Sequence, residues 1–281
     1  MATKKSLAAI TRDDVVKFYQ SHYTPANTIL AVVGDFSTAE MEKLLADKFG
    51  GWSAPAGRAT APVKLAAPAP VKGKRLLLVD KPDSTQTYFN IGNVGISSSD
   101  PDRVPIRVVN TLFGGRFTSM LNSALRIESG LTYGARSSFS QRDVPGPFAI
   151  STYTRNETTE KAMDMALDIL KRLHAEGINE EQLTSAKNYL KGQFPPNIET
   201  SDQLADLLVD LELRGLDQRE VNEFYARVDA ITLADARRVI QKHFPLDNLV
   251  FVLIGKATEI EPLAKKYAAK IDKKSISDPG F

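Results

Sequence analysis

The stretch AITLADARRVIQKHFPLDNLVFVLIG, residues 230–255, repeats AITRDDVVKFYQSHYTPANTILAVVG, residues 9–34, without a gap. Ala9-Ile10-Thr11, Asp14, Gln20, His22, Asn27 and Gly34 recur as Ala230-Ile231-Thr232, Asp235, Gln241, His243, Asn248 and Gly255. Each copy opens on a threonine with an aspartate three residues on, which is a helix start. Each closes on an apolar run, Ile29 to Val33 and Val250 to Ile254, which reads as a buried strand. A repeated helix–strand unit normally stands for a repeated domain. The second copy closes a long periodic region, whereas only eight residues precede the first. The pattern therefore predicts two like domains, the first represented by its closing helix–strand–helix alone.

Working outward, Pro25 ends the first helix, and Ser37 starts another with apolar positions Met41, Leu44, Leu45 and Phe49. From Ala54 to Val71, prolines 55, 62, 68 and 70 sit among alanines, a semi-rigid linker. The expected division is 1–57 for the closing segment, 58–72 for the linker and 73–281 for a complete C-terminal domain. Within that domain, strands are expected at Arg75–Val79, Thr85–Ile91, Leu131–Phe139, Phe148–Thr154 and Leu249–Ile254, with Pro145-Gly146-Pro147 as a turn. Helices are expected at about 102–113 and 119–128, separated by a Gly114-Gly115 turn. A further helix, capped by Asn156, carries the stripe Ala162, Ala166, Ile169, Leu170 and Leu173 and stops at Gly177. Others follow at about 179–193, 201–214, 218–228, 233–243 and 259–269. Strands in hairpins and helices in runs predict an α+β fold, a layered antiparallel or mixed sheet covered by helices.

An apolar fraction of 42% and a charged fraction of 25% fit a soluble globular chain. Thirty-six basic residues nearly balance 34 acidic ones, for a net charge of +2. Lys72, Lys74 and Arg75 cluster, as do Lys265, Lys266, Lys273 and Lys274, but without interleaved aromatics they read as solvated faces and not as a nucleic-acid groove. No run is long and apolar enough for membrane insertion. The absence of cysteine excludes disulfides, thiolate zinc sites and a cysteine nucleophile.

His22, His174 and His243 lack partners at metal-ligand spacing, and neither H-x-x-E-H nor H-x-x-x-H occurs. His22 and His243 are expected to cap carbonyls at helix C-termini, and His174 to be exposed. There is no G-x-S-x-G, P-loop or G-x-G-x-x-G, so no catalytic engine is legible in this chain. The most informative segment runs from Asn110 through Leu112-Phe113-Gly114-Gly115 and Leu125-Arg126 to Gly130-Leu131-Thr132-Tyr133. Arg126 in a last helical turn and Tyr133 as third residue of a strand converge on one mouth. Both are donors suited to a peptide carbonyl or the oxyanion it becomes. Equally, Arg126 can serve only the helix dipole, and Tyr133 only strand packing.

At these residues the chain resembles the C-terminal region of one half of the insulinase/pitrilysin-type zinc metallopeptidases, which include the mitochondrial processing peptidases. The resemblance extends from Ala9-Ile10-Thr11 through His22-Tyr23-Thr24-Pro25-Ala26-Asn27 and Val32-Val33-Gly34-Asp35 to the final helix. It implies that Arg126 and Tyr133 bind substrate, supported by the glycine turn Gly114-Gly115. It further implies no metal or catalytic residue in this chain alone. Zinc is expected in a zinc-bearing half-subunit of the same family, or in a region preceding this one, and the substrate is an unfolded peptide. A non-catalytic scaffold of the same fold is the alternative. The resemblance favours a periplasmic location, with the cytoplasm as alternative.

Overall fold

The computed structural model describes residues 3–53 and 65–278. Of the expected linker 58–72, residues 58–64 lie outside the described residues, and 65–72 carry no regular structure. The chain divides into two units. The smaller comprises Met1–Leu65 with Pro195–Gln218, and the larger comprises Ala66–Phe194 with Arg219–Pro279.

In the smaller unit, the helix Arg12–His22 begins at Thr11 in a capping box. Thr11 Oγ1 accepts from Asp14 N at 3.2 Å, and Asp14 Oδ2 accepts from Thr11 N at 2.9 Å. Helices Thr38–Phe49 and Ser201–Leu213 complete its main elements. The apolar run 28–33, expected as a buried strand, is not one: it pairs with no strand among the described residues, and most of it is exposed. An apolar run forms a strand only where a neighbour supplies the other half of the hydrogen-bond ladder, and no partner strand lies among the described residues of this unit. His22 does cap its helix, with Nδ1 3.0 Å from Phe18 O.

The larger unit is built on one six-stranded mixed sheet. Its strands are β1 (Arg75–Asp80), β2 (Gln86–Val94), β3 (Arg136–Gln141), β4 (Pro145–Arg155), β5 (Val250–Gly255) and β6 (Lys270–Ser275). Their order is β3-β4-β2-β5-β1-β6, with β1 parallel to both β5 and β6 and the other pairs antiparallel. One face buries Leu76, Leu78, Phe89, Ile91, Phe148 and Ile150 against helices Arg103–Asn110, Thr159–Glu176 and Leu233–His243. Each such side chain contributes about 2 kcal/mol of apolar transfer energy. The other face is more open, with Tyr88 and Asn90 exposed and Ser151 and Tyr153 half-buried.

The second repeat copy lies in this unit, and comparison shows what burial does to the same pattern. Thr232 and Asp235 form the same capping box. Ala236, Val239 and Ile240 are fully buried, whereas their counterparts Val15, Phe18 and Tyr19 are more than half exposed. The apolar run of the second copy is β5, held between β1 and β2.

Several expectations are corrected here. The turn between β3 and β4 is Arg142–Val144, and Pro145-Gly146-Pro147 opens β4 instead. Proline is tolerated at the start of a strand beside a register shift, and the ladder shifts between Phe139 and Gln141. Asn156 caps no helix: it accepts from Thr87 Oγ1 at 2.9 Å and donates to Ser84 O at 2.8 Å, pinning the start of β2. His174 is half-buried, tied to Gln241 at 3.3 Å and to the Phe244 carbonyl. The lysines read as solvated are in part paired, Lys266 with Glu160 and Asp164 and Lys273 with Glu261. Edge strand β6 went unforeseen, and its exposed lysines Lys270, Lys273 and Lys274 discourage further pairing along it.

Candidate functional site

The helix Arg103–Asn110 does not stop before its glycines. It runs on as a π-helical turn, Thr111–Gly115, and the next helix likewise passes from Met120–Asn122 into a π-helical segment, Ser123–Glu128. Such wide turns are uncommon and concentrate at functional sites. The expected Gly114-Gly115 turn is therefore helical, and the reason for glycine is proximity. A Cβ on Gly114 would lie 2.3 Å from Ser137 N and 2.4 Å from Ser137 Oγ, so only glycine lets this turn touch β3. Asn110 fastens the contact, donating to Ser137 O at 3.0 Å and accepting from Ser137 Oγ at 2.6 Å. The same bonds occupy the outer edge of β3.

After Glu128 the chain reverses at Gly130, whose φ of +62° suits glycine. Leu131 N donates back to Leu125 O at 2.9 Å, a Schellman-like closure widened by the π geometry. Tyr133 then lies on an irregular segment, not within a strand, because β3 begins only at Arg136. Threonine hydroxyls replace the missing ladder. Thr152 Oγ1 donates to Gly134 O at 2.8 Å, Thr154 Oγ1 donates to Leu131 O at 2.7 Å, and Thr132 Oγ1 accepts from Gly134 N at 3.2 Å. Buried Asn122 joins the two walls, donating to Phe117 O at 2.7 Å and accepting from Ala135 N at 3.1 Å.

These segments border an open cleft of about 730 Å³, and Gly114, Gly115, Arg126 and Tyr133 all line it. Its floor includes Tyr88 and Tyr153, register partners on the open sheet face whose rings stack at 5.1 Å. Arg126 is exposed, with its guanidinium carbon 4.8 Å from the Phe117 ring centre, a contact that orients it without consuming its donors. Tyr133 is 77% exposed, and its hydroxyl has no partner among the described residues. Two arginines that the sequence reading passed over also line the cleft, Arg116 and Arg136. Arg116 follows the glycine pair directly, and Arg136 shares a register position with Ser151 on the open face. No histidine or carboxylate lines the cleft among the described residues. The arrangement can hold and polarise a carbonyl or carboxylate, and it offers no general base.

One cluster of the described residues has metal-ligand proximity, Asp100, Asp102 and His243. It does not fit zinc. Asp102 already accepts from Arg238 at 2.6 Å, Lys242 at 2.8 Å and His243 Nε2 at 2.8 Å, so two cations adjoin the carboxylate a metal would need. Burial alone would raise the Asp102 pKa, but these three bonds outweigh it and hold the carboxyl far below its ordinary value. His243 thus anchors the buried Asp102 at the start of helix Arg103–Asn110, a correction to its expected capping role. The sequence could not have paired them, since the two residues are brought together only by the tertiary fold.

The chain is similar to known proteins. The family described as "Peptidase M16 inactive domain" matches residues 9–190. An uncharacterized zinc protease of Streptomyces coelicolor is 24% identical over 85% of this chain and 52% of its own length. A Helicobacter pylori protein whose name reads non-peptidase homolog is 23% identical over 91% of this chain and 58% of its own. A crystal structure of a peptidase M16 inactive domain from Pseudomonas fluorescens superposes with a TM-score of 0.80 at 27% identity, covering 90% of this chain and 60% of that one. The chain thus spans about half the length of the curated relatives it matches.

Proposed function

This chain belongs to the Peptidase M16 inactive-domain family, and from that premise we propose that it is the substrate-holding, zinc-free part of a metallopeptidase. Arg126 and Tyr133 hold an unfolded peptide, and the bond is cut at a zinc site held elsewhere, in a half-subunit of the same family or in a region preceding this one. The observation that carries this reading is the presence of two exposed donors on one cleft, where among the described residues neither is bonded to a carboxylate and no carboxylate or histidine is in the lining. Donors of this kind bind a peptide carbonyl and bind it better as negative charge develops on its oxygen.

The test uses the 281-residue chain assembled with the zinc-bearing half-subunit of the same source and an unfolded reporter peptide. Removing one oxyanion donor typically lowers turnover by about a hundredfold or more. Arg126→Ala and Tyr133→Phe should each cause such a loss while circular dichroism and subunit pairing stay unchanged. Wild-type turnover in both variants would refute the proposal.

A second reading is favoured by the Helicobacter pylori relative, which is named a non-peptidase homolog. On that reading the chain pairs with another half-subunit as a scaffold and binds no peptide. It predicts indifference to both substitutions.

A further inference from the structure

We propose that this cleft selects peptides bearing acidic side chains, with Arg136 and Arg116 as the groups that receive those carboxylates. The inference rests on the preceding reading, in which Arg126 and Tyr133 hold the peptide backbone. Elsewhere on the larger unit several cations sit beside carboxylates: Lys266 bridges Glu160 and Asp164, Lys273 meets Glu261, and Arg103 and Arg227 share Glu220. The chain as a whole is nearly neutral, at +2. The cleft differs from these places, since Arg116, Arg126 and Arg136 line it and no lining residue is acidic among those described. Like charges gathered in one concavity without counter-ions repel each other and raise the local affinity for an anion.

Two of these guanidiniums are also placed for side-chain recognition. Arg116 is held in position, donating from Nη1 to Ser185 Oγ at 2.9 Å and lying 5.9 Å over the Tyr189 ring, while its buried Nε has no partner among the described residues. Arg136 is exposed at the start of β3, and its register partner Ser151 also lines the cleft. A planar guanidinium matches a carboxylate with two parallel bonds, which an uncharged amide cannot reproduce. A nucleic acid is the rival anion. It is disfavoured because the three charges surround one cleft instead of following a long track, and because Tyr88 already stacks on Tyr153.

The test is fluorescence anisotropy with the 281-residue chain and three labelled unfolded peptides of one length, bearing Asp, Asn or Lys at the same positions. The Asp peptide should bind about tenfold or more tighter than the Asn peptide, the size of one charge-assisted hydrogen bond. That preference should shrink with added salt. Arg136→Gln should lower the Asp-to-Asn ratio severalfold, Arg116 retaining the remainder, and Arg136→Lys should lower it less. Arg126→Ala should weaken both peptides alike. Equal affinity for Asp and Asn peptides, with both lost in Arg126→Ala, would overturn the acidic preference and leave peptide holding intact. Failure of every peptide to bind would overturn both. An oligothymidylate that binds more tightly than the Asp peptide and displaces it would overturn the choice of peptide.

Discussion

Replacing Gly114 with alanine tests whether the cleft depends on the close approach of a π-helical turn to β3. The new Cβ would lie 2.3 Å from Ser137 N, 2.4 Å from Ser137 Oγ and 2.9 Å from Leu121 Cδ1. Ordinary carbon contacts need about 3.5 Å, so the turn and strand must separate by about 1 Å. That separation breaks the Asn110–Ser137 pair, now at 3.0 and 2.6 Å, at about 1 kcal/mol for each bond. Overpacking a close-packed contact adds about 1–3 kcal/mol, for a total of about 3–5 kcal/mol. Gly115→Ala is the milder comparison, because the nearest atoms to its Cβ belong to Asn110, the first at 2.9 Å. Urea denaturation followed by circular dichroism should show the larger loss for Gly114→Ala and a smaller one for Gly115→Ala. Equal losses, or a Gly114→Ala change within about 0.5 kcal/mol of wild type, would refute the reasoning.

Two further outcomes follow from the same geometry. Asp102→Ala removes the carboxylate that gathers Arg238, Lys242 and His243 and should cost about 2–4 kcal/mol in thermal or urea unfolding, less than a fully buried pair because Arg238 and Lys242 are half exposed. Since the folded-state pKa of Asp102 is depressed, its contribution is complete above the ordinary carboxylate value and fades as pH falls below about 4. Stability curves of the wild type and Asp102→Ala should therefore converge as pH falls below that value, and parallel curves would contradict the assignment. Thr152→Val keeps the shape but removes the Thr152 bonds to Gly134 O and Thr132, leaving Gly134 O with Thr132 Oγ1 alone at 3.1 Å. It should cost about 1 kcal/mol and speed hydrogen exchange at the Gly134 amide, which donates to Thr132 Oγ1. Unchanged exchange there would mean the threonine hydroxyls do not hold the Tyr133 segment.

What was legible in the sequence is what local chemistry decides. The Thr11 and Thr232 caps, the stop at Gly177 and the apolar runs of β1 and β5 each carry their cause within a few residues. The α+β class followed from their order. Features that depend on a distant partner were misread. Residues 28–33 and β5 look alike in sequence, and only the presence of flanking strands makes one of them a strand. Strand β6 exists because β1 offers a parallel edge, and its charged sequence gave no sign of it. The sequence puts Tyr133 in a strand, whereas hydroxyl bonds from Thr152 and Thr154, which have no periodic signature, hold its segment instead. Arg126 and Tyr133 stood out through their motif, whereas Arg116 and Arg136 join them only through the fold.

The most direct test of the central claim maps where a peptide lies. A short unfolded peptide carrying a central benzoylphenylalanine would be photo-crosslinked to the 281-residue chain, and the adducts located by mass spectrometry. The account predicts adducts on cleft residues such as Phe117, Tyr133 and Tyr153, suppressed by Arg126→Ala. Adducts confined to other surfaces, or unaffected by that substitution, would contradict it.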